Sequence, residues 1–288
     1  MKIGLVLEGG AMRGMYTAGV LDTFLDQHIL LDGVIGISAG AVFGVNYLSG
    51  QKGRVIRYNQ RFNGDRRYMG LGSLLKTGNI VNTEFAYGTV PKTLDPFDDQ
   101  AFQDSGIPFY CGMTNLDTGK AEYVQIKSGF AQMDALRASA SMPFVSKPVR
   151  VGNQWYLDGG VADSIPYQKM LSLGYEKLVV ILTRDRSYRK KAMSPALIQL
   201  CYGKKKAFAE DLKRRHVEYN ESVQHLEALE QQGTAFVIRP SEPITIRRME
   251  KDPKELYRVY QMGLRDAEQQ MQGLRQFLKQ AEQELSNS

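Results

Sequence analysis

One five-residue stretch, Gly36-Ile37-Ser38-Ala39-Gly40, constrains the fold more than any other part of the chain. The apolar residues before it predict a short buried strand over 32–35, and the residues after it predict a helix over 39–48. Ser38 would then lie on a sharp strand-to-helix turn, the setting in which a G-x-S-x-G serine becomes a nucleophile. The flanking glycines leave room for a strained backbone at the serine. A plain glycine-rich turn is the alternative interpretation of this stretch alone.

The composition is that of a globular protein. The 288 residues can bury one large core, or one domain with an appendage. Hydrophobic residues make up 43% and charged residues 24%, which excludes a fibrous or disordered chain. A balance of 37 basic against 31 acidic residues gives a net charge of +6, which is compatible with an anionic partner without naming one.

Two further features favour a cytoplasmic protein. Cys111 and Cys201 form no C-x-x-C pair, so we expect reduced, buried thiols. The N-terminal apolar run is too short for the core of a signal peptide, and no uncharged apolar run reaches the length of about 18 residues that spans a membrane.

The N-terminal segment predicts a strand over 3–7, a glycine-rich loop over 8–14 and a helix over 15–27. Such a loop presents successive backbone N–H groups that favour a phosphate or the oxyanion of acyl transfer. The phosphate interpretation resembles a dinucleotide fold, with Asp32 as the later acidic residue. Its spacing fits poorly, because Ala11 replaces the second fingerprint glycine and the Ser38 turn follows Asp32 at once.

The middle of the chain predicts further strands and a second functional turn. Strands are expected over 108–113 and 121–126, and a short helix over 130–140. An aromatic run then ends in Asp158-Gly159-Gly160, and acidic residues at strand ends are where α/β folds handle ligands. Before these strands, residues 50–104 predict short helices and loops that cover the site. The arginines of that region are interpreted as a solvated surface: Arg54, Arg57, Arg61, Arg66 and Arg67.

Three segments stand in a fixed order: Gly9-Gly10-Ala11-Met12-Arg13-Gly14, the Ser38 turn and the Asp158 turn. Together they resemble the patatin-like phospholipase family, in particular its bacterial members. That family is known by a glycine-rich oxyanion block ending in Arg-Gly or Lys-Gly, a G-x-S-x-G nucleophile and a D-G-[GA] general base. Residues 137–143 are similar to the alanine-serine-proline segment of the family. One position departs, because Ala11 stands where the block has its third glycine.

The resemblance implies a Ser-Asp dyad, with Ser38 as nucleophile and Asp158 as general base. It also implies an oxyanion hole formed by the backbone amides of Gly9, Gly10 and Ala11. A carboxylate of ordinary pKa, about 4, is a poor match for a serine hydroxyl, so we expect a partly dry site. No metal and no cofactor are expected. The supporting motif residues are Arg13, Gly14, Gly36, Gly40, Gly159 and Gly160.

A histidine triad is the alternative. The sequence has only His28, His216 and His225, and the chain order Ser38, Asp158, His216 suits an α/β-hydrolase. That fold places several strands before its nucleophile, whereas Ser38 follows one strand and one helix. His216 also lies among charged residues typical of a helix surface, so we favour the dyad.

The C-terminal part of the sequence changes character. Residues 184–216 carry eleven basic residues against three acidic ones, which indicates a solvated face or a surface for anionic lipid headgroups. A strand is expected over 235–238, and Pro253 opens a long helix. Its apolar stripe predicts packing on the core or on a partner helix: Leu256, Tyr260, Leu264, Ala267, Met271, Leu274, Leu278, Ala281 and Leu285.

These observations predict an α/β fold of three layers, with a mainly parallel central sheet flanked by helices and a helical C-terminal extension. We expect a patatin-like catalytic domain over 1–185, and a mostly helical extension over 186–288 packed on it. The expected function is a serine lipid acyl hydrolase, a phospholipase or esterase, acting on a lipid or acyl ester. A peripheral contact with an anionic membrane surface stays open, and no nucleic acid partner is expected. The alternatives are a catalytically inactive lipid-binding or scaffold protein and a dinucleotide-binding protein.

Overall fold

The computed structural model describes residues 1–286 and contains an eight-stranded sheet with helices on both faces. The strands are β1 (Ile3–Leu7), β2 (Gly33–Ile37), β3 (Phe109–Asn115), β4 (Ala121–Ile126), β5 (Val149–Val151), β6 (Gln154–Asp158), β7 (Lys177–Ile181) and β8 (Ala235–Ile238). Seven of them follow the order β5-β6-β3-β2-β1-β7-β8, and β4 pairs with β3 outside that path.

Five strands form the parallel part of the sheet, namely β3, β2, β1, β7 and β8. The two central strands, β1 and β2, are buried along their whole length and carry no polar side chain, as expected for a parallel sheet with helices on both faces. The carboxyl ends of β1 and β2 lie side by side, since Leu7 pairs with Gly36. Loops that follow these two strands therefore meet at one edge of the sheet.

The remaining strands, β4, β5 and β6, are antiparallel to their neighbours. The predicted α/β fold with a central sheet flanked by helices is confirmed, and the sheet itself is mixed. β6 runs back beside β3 and brings Asp158 opposite Met113. β3 continues beyond Gly112, the partner of the last residue of β2, and β6 pairs with that extension, so β6 ends level with the carboxyl ends of β1 and β2.

Ten α-helices lie within residues 1–286. A short 3-10 turn over Ala11–Gly14 precedes the first, and a π-helical segment over Phe85–Leu94 follows the fourth. The helices are α1 (Met15–Asp26), α2 (Ala39–Leu48), α3 (Arg54–Phe62), α4 (Leu71–Thr77), α5 (Asp99–Asp104), α6 (Met133–Ser139), α7 (Tyr167–Ser172), α8 (Pro195–Tyr202), α9 (Lys206–Gln231) and α10 (Pro253–Ser286).

The strand side chains alternate between two apolar clusters. Leu5 and Leu7 of β1 join the larger cluster with α1, α2, α3, α6 and α10, whereas Val6 joins the cluster under α7 and α9. This alternation follows from the two-residue period of a strand. A third, smaller cluster lies under α8 and the start of α9.

The long C-terminal helix packs on the core through its apolar stripe. Leu256, Leu274 and Ala281 are buried, and the side chain of Leu285 lies outside the described residues. Where α10 crosses α1, two glycines bring the backbones together: a Cβ on Gly263 would overlap the carbonyl oxygen of Tyr16, and a Cβ on Gly19 would overlap that of Tyr260.

Residues on both sides of position 185 share one core. β8 extends the central sheet beside β7, and α10 packs on α1 in the same apolar cluster as β1. Residues 287 and 288 lie outside the described residues. The division into a domain over 1–185 and an extension over 186–288 stays a prediction.

Two expectations about single side chains are wrong. Arg54 is buried rather than solvated, because its guanidinium donates to Asn46 Oδ1 at 2.7 Å and to the Asp95 carbonyl oxygen, and lies over the Tyr58 ring. Cys111 and Cys201 are free thiols, but only the former is buried. Among residues 1–286, no helix is both long enough and apolar enough to cross a membrane.

The crossing of α1 and α10 gives a stability prediction. Gly263→Ala forces a methyl group onto a backbone oxygen, so we expect the free energy of unfolding to fall by about 1–3 kcal/mol. Gly273→Ala in the same helix is the matched control, because its Cβ would lie 3.4 Å from the nearest atom, on Phe236. That change should be neutral or stabilise by up to about 1 kcal/mol through helix propensity. Denaturant titration measures both, and equal midpoints would contradict the packing argument.

Candidate functional site

Ser38 sits on a strained turn between β2 and α2. Its φ is +55° and its ψ is −121°, a conformation rare for any residue with a side chain. The turn is tight because α2 starts against β1: a Cβ at Gly40 would lie 2.5 Å from the carbonyl oxygen of Leu7. Such strain costs about 1–3 kcal/mol and persists only where the surroundings hold it.

Residues 137–143 hold the turn at Ser38 in place. The Ser38 N–H donates to Ser139 Oγ at 2.8 Å, and the Ser139 hydroxyl donates to the Gly112 carbonyl on β3 at 2.6 Å. Two residues later, the Ser141 carbonyl accepts the Asp158 N–H at 2.8 Å. This segment therefore links the serine turn to the aspartate turn.

Asp158 faces Ser38 across β3. Because Ile37 pairs with Gly112 and Asp158 pairs with the next residue of β3, the serine and the aspartate flank that strand at one level. The Ser38 hydroxyl donates to Asp158 Oδ2 at 2.7 Å. The Gly160 N–H donates to Asp158 Oδ1 at 2.8 Å, which fixes the carboxylate.

The environment of Asp158 is dry but not neutral. Only 6% of the residue is exposed, and this burial raises the pKa of its carboxyl above the ordinary value. The positive charge of Arg215 and the hydrogen bonds from Ser38 and Gly160 lower the same pKa in part. The guanidinium of Arg215 also donates to the carbonyl oxygen of Gly160.

The glycine-rich loop runs alongside Ser38. Gly9 approaches the serine so closely that a Cβ there would lie 2.9 Å from Ser38 Cβ. The N–H groups of Gly10 and Ala11 have no hydrogen-bond partner within the described chain. Ala11 adopts φ +49°, so the alanine that departs from the family pattern presents its N–H in a conformation that costs about 1–2 kcal/mol for a residue with a Cβ.

The other predicted motif residues lie around these groups. Gly36 is the last residue but one of β2. Gly14 packs against Ala39, and Gly159 lies against the carbonyl of Gly112. Arg13 has a buried Nε without a hydrogen-bond partner in the described chain. Burial and the charge of Arg184 lower the pKa of Arg13 to about 10.

Two cavities meet at the serine. One, of about 120 Å³, is lined mainly by apolar side chains such as Val42, Phe43 and Phe97. The other, of about 630 Å³, is lined by the glycine-rich loop and by many basic residues. Ser38, Ala11 and Met142 line both.

His216 lines the larger cavity but does not contact the serine or the aspartate. Its Nδ1 lies 2.9 Å from the carbonyl oxygen of Lys213, and a carbonyl only accepts, so this nitrogen carries the proton. His28 lies two residues after the end of α1, with φ +54°. The direct contact between Ser38 and Asp158 leaves no gap for an imidazole between them.

Arg215 is the side chain at the site that the sequence analysis missed. The basic run that contains it predicts a solvated face or a surface for anionic lipid headgroups, and other residues of that run do pair at the surface, as Arg214 with Glu218. A signal existed, however. α9 buries Leu212 and Tyr219, and an arginine between them at helical spacing falls on the buried face.

The positions of Asp32 and the glycine-rich loop do not fit a dinucleotide-binding site. Asp32 precedes β2 at the amino edge of the sheet, where it accepts the Ile3 N–H at 2.7 Å. The glycine-rich loop follows β1 at the opposite edge, so the acid cannot reach a ribose bound there. No cluster of metal-ligating side chains occurs within residues 1–286.

The chain is an α/β protein whose candidate site lies at one edge of a mixed sheet. That site combines a serine hydrogen-bonded to an aspartate with a glycine-rich loop. Residues 5–171, more than half of the chain, match the patatin-like phospholipase family, and the chain belongs to that family. Residues 205–279 match a domain of unknown function, DUF6363.

Individual relatives share the same region. "Uncharacterized protein YjjU" of Escherichia coli (strain K12) is 32% identical over 187 residues, which is 63% of this chain and 52% of that protein. "Lysophospholipase NTE1" of Saccharomyces cerevisiae is 29% identical over 184 residues, 62% of this chain and 10% of that protein. The chain thus spans about half of the first relative and a tenth of the second. VipD from Legionella pneumophila aligns with a TM-score of 0.47 at 13% identity, over 94% of this chain and 67% of that one.

Proposed function

We propose that the protein is a serine lipid acyl hydrolase, a carboxylic ester hydrolase of the phospholipase type. The observation that carries this proposal is the 2.7 Å hydrogen bond from the strained Ser38 to the buried Asp158, at the point where an apolar and a polar cavity meet. Membership of the patatin-like phospholipase family supports it, and so does the similarity to proteins named lysophospholipase.

In the acylation step, Asp158 accepts the proton of the Ser38 hydroxyl while the serine oxygen attacks the carbonyl carbon of the ester. The tetrahedral oxyanion accepts hydrogen bonds from the N–H groups of Gly9, Gly10 and Ala11. The bond to the leaving alcohol then breaks, and that alcohol takes the proton from Asp158. Base catalysis contributes roughly 100- to 10,000-fold, and each oxyanion donor about 3–4 kcal/mol.

In the deacylation step, Asp158 takes a proton from water, whose oxygen attacks the acyl carbonyl carbon. The bond from that carbon to the Ser38 oxygen then breaks, Asp158 returns the proton to the serine, and the fatty acid leaves. The raised pKa of Asp158 supports this role, because burial makes the carboxylate a stronger base than an exposed one. The direct contact of serine and aspartate supports a dyad over a triad, since His216 bonds to its own helix.

The cavity on the apolar side supports an acyl ester as the substrate. Its aliphatic and aromatic lining suits a hydrocarbon chain, and Ser38 is one of the residues that line it. An acyl chain inserted there would present its carbonyl to the serine.

We further propose a bacterial, cytoplasmic protein that contacts an anionic membrane surface at its periphery. The similarity to YjjU supports the bacterial branch. On α8, Leu197 and Leu200 are 43% and 83% exposed, close in sequence to Lys204, which suits a surface with acyl chains beneath anionic headgroups.

The dyad makes a direct kinetic prediction. Ser38→Ala and Asp158→Asn should each lower kcat/KM for a p-nitrophenyl ester by at least about 100-fold, because each removes one partner of the proton transfer. His216→Ala is the control and should stay near the wild-type value. Circular dichroism checks that all variants fold. If the histidine variant loses activity and Asp158→Asn keeps it, the dyad is wrong, and a folded but inactive wild type favours the lipid-binding alternative.

The charge beside the base predicts a pH effect. Asp158 acts only when ionised, so kcat/KM falls as the pH drops through its pKa. Arg215→Gln removes a charge that favours the ionised form, so that pKa rises and the acid limb of the pH profile moves to higher pH. Arg215→Lys keeps the charge and should leave the limb closer to that of the wild type. Coincident limbs for all three proteins would contradict this role of Arg215.

The apolar cavity predicts a change in chain-length preference. Val42→Phe fills the cavity near the serine, so kcat/KM for an octanoyl ester should fall by roughly 10- to 200-fold relative to that for an acetyl ester. Val217→Phe, at an exposed position on α9, is the control. An unchanged ratio in Val42→Phe would place the acyl chain elsewhere.

A further inference from the structure

The larger cavity beside Ser38 is strongly basic. Seven arginine and lysine side chains line it, whereas only Glu8 and Asp158 bring negative charge. The basic residues come from four separate parts of the chain, so the cavity is assembled by the fold and not by one charged run. They are Arg13, Arg184, Arg189, Lys190, Lys191, Arg215 and Arg248.

The two acids offset only part of this positive charge, since two carboxylates face seven cations. Glu8 accepts hydrogen bonds from the Thr183 N–H at 2.5 Å and from the Tyr219 hydroxyl at 2.9 Å, and Asp158 is held by Ser38 and the Gly160 N–H. None of the seven basic side chains forms an ion pair within 4 Å among the residues that the structure describes.

The innermost cations are held close together against their own repulsion. Arg13 carries a buried Nε with no partner in the described chain. Burial and the charge of Arg215 lower the pKa of Lys190 well below its usual range, and Arg13 and Arg248 act in the same direction. The charge of Glu8 opposes this shift only in part. Crowded, desolvated cations that outnumber their counter-ions are costly, and a bound anion offsets that cost.

We propose that this cavity binds the phosphate of an anionic lipid headgroup, so that the enzyme selects phospholipids or lysophospholipids with a net negative headgroup. The orientation rests on the proposed function: the ester carbonyl lies at Ser38, the acyl chain enters the apolar cavity and the phosphate enters the basic one. In a glycerophospholipid the ester and the phosphate are only a few bonds apart, which matches two cavities that share Ser38. Guanidinium groups suit phosphate through paired N–H donors.

The same cavity disfavours a choline headgroup. A quaternary ammonium is recognised by the open faces of aromatic rings. Two of the three aromatic rings that line the cavity are already covered by cations, since Arg184 lies 4.0 Å from the Tyr188 ring centroid and Lys190 lies 3.8 Å from that of Tyr219. The third, Phe144, packs against Tyr202 with the ring centroids 5.3 Å apart. A further positive charge would meet repulsion from these cations.

The first experiment measures binding without turnover. In the Ser38→Ala protein, sn-glycerol 3-phosphate should raise Tm by about 2–4 °C at saturating concentration, and glycerol should not. Arg184→Gln/Arg248→Gln should lose most of this shift, because both side chains line the cavity. Arg66→Gln/Lys92→Gln, which removes two exposed positive charges outside the cavity, is the charge-matched control and should keep the shift. No shift in the Ser38→Ala protein, or an equal shift in all variants, would overturn the site.

Inorganic phosphate distinguishes the two sources of the same chemistry. If the cavity serves a headgroup, sn-glycerol 3-phosphate should protect at lower concentration than inorganic phosphate does, because the glycerol adds contacts toward Ser38. If inorganic phosphate protects at the lower concentration, the cavity is a free-phosphate site and the headgroup assignment is wrong.

The second experiment measures selectivity. Lysophosphatidylglycerol and lysophosphatidylcholine with the same acyl chain, in micelles of a neutral detergent, should differ in kcat/KM by at least tenfold in favour of the anionic lipid, roughly one charge-assisted contact. Arg184→Gln/Arg248→Gln should bring the ratio toward one, and Arg66→Gln/Lys92→Gln should leave it unchanged. Equal rates in the wild type would overturn the selectivity. If neither lipid is hydrolysed but sn-glycerol 3-phosphate still protects, the proposed function fails while the anion site stands.

Discussion

The direct hydrogen bond between Ser38 and Asp158 depends on the register of three strands. β2 delivers the serine, β6 returns antiparallel to deliver the aspartate, and β3 lies between them as a spacer. Ser139 links the turn at Ser38 to β3, since its hydroxyl accepts a hydrogen bond from the Ser38 N–H and donates one to the Gly112 carbonyl. The strained φ of Ser38 is tolerated because these contacts hold it. A slip of one residue in either pairing would turn one of the two side chains to the other face of the sheet.

Burial and positive charge set the chemistry of Asp158 in opposite directions. Desolvation raises the pKa of its carboxyl, and the positive charge of Arg215 offsets part of that rise. The same arrangement costs folding free energy at neutral pH, because an ionised carboxylate in a dry site is more stable in the unfolded chain. The burial that the proposed catalytic role of Asp158 needs therefore lowers the free energy of unfolding. The crowded cations of the basic cavity beside it add a cost of the same kind.

Local signals in the sequence were sufficient for much of the fold. The helix predicted after Ser38 and the strand predicted at Ala235–Ile238 occur with those bounds, because glycine turns and apolar runs mark their ends. The antiparallel return of β6 was not visible, since strand direction depends on distant pairing. The composition around Arg54 predicts a solvated surface, and that around Arg215 a solvated face or a lipid-headgroup surface, because composition alone does not show which face of a helix is buried. Their partners, Asp95 and Gly160, are far away in the sequence.

In the proposed mechanism, Asp158 alone activates Ser38 as a nucleophile. Labelling with a fluorophosphonate, followed by mass spectrometry of the digested protein, tests it most directly. The account predicts one adduct on Ser38 in the wild type and in His216→Ala, and little or no adduct in folded Asp158→Asn. A wild type that stays unlabelled, or an Asp158→Asn protein labelled as fast as the wild type, would contradict it.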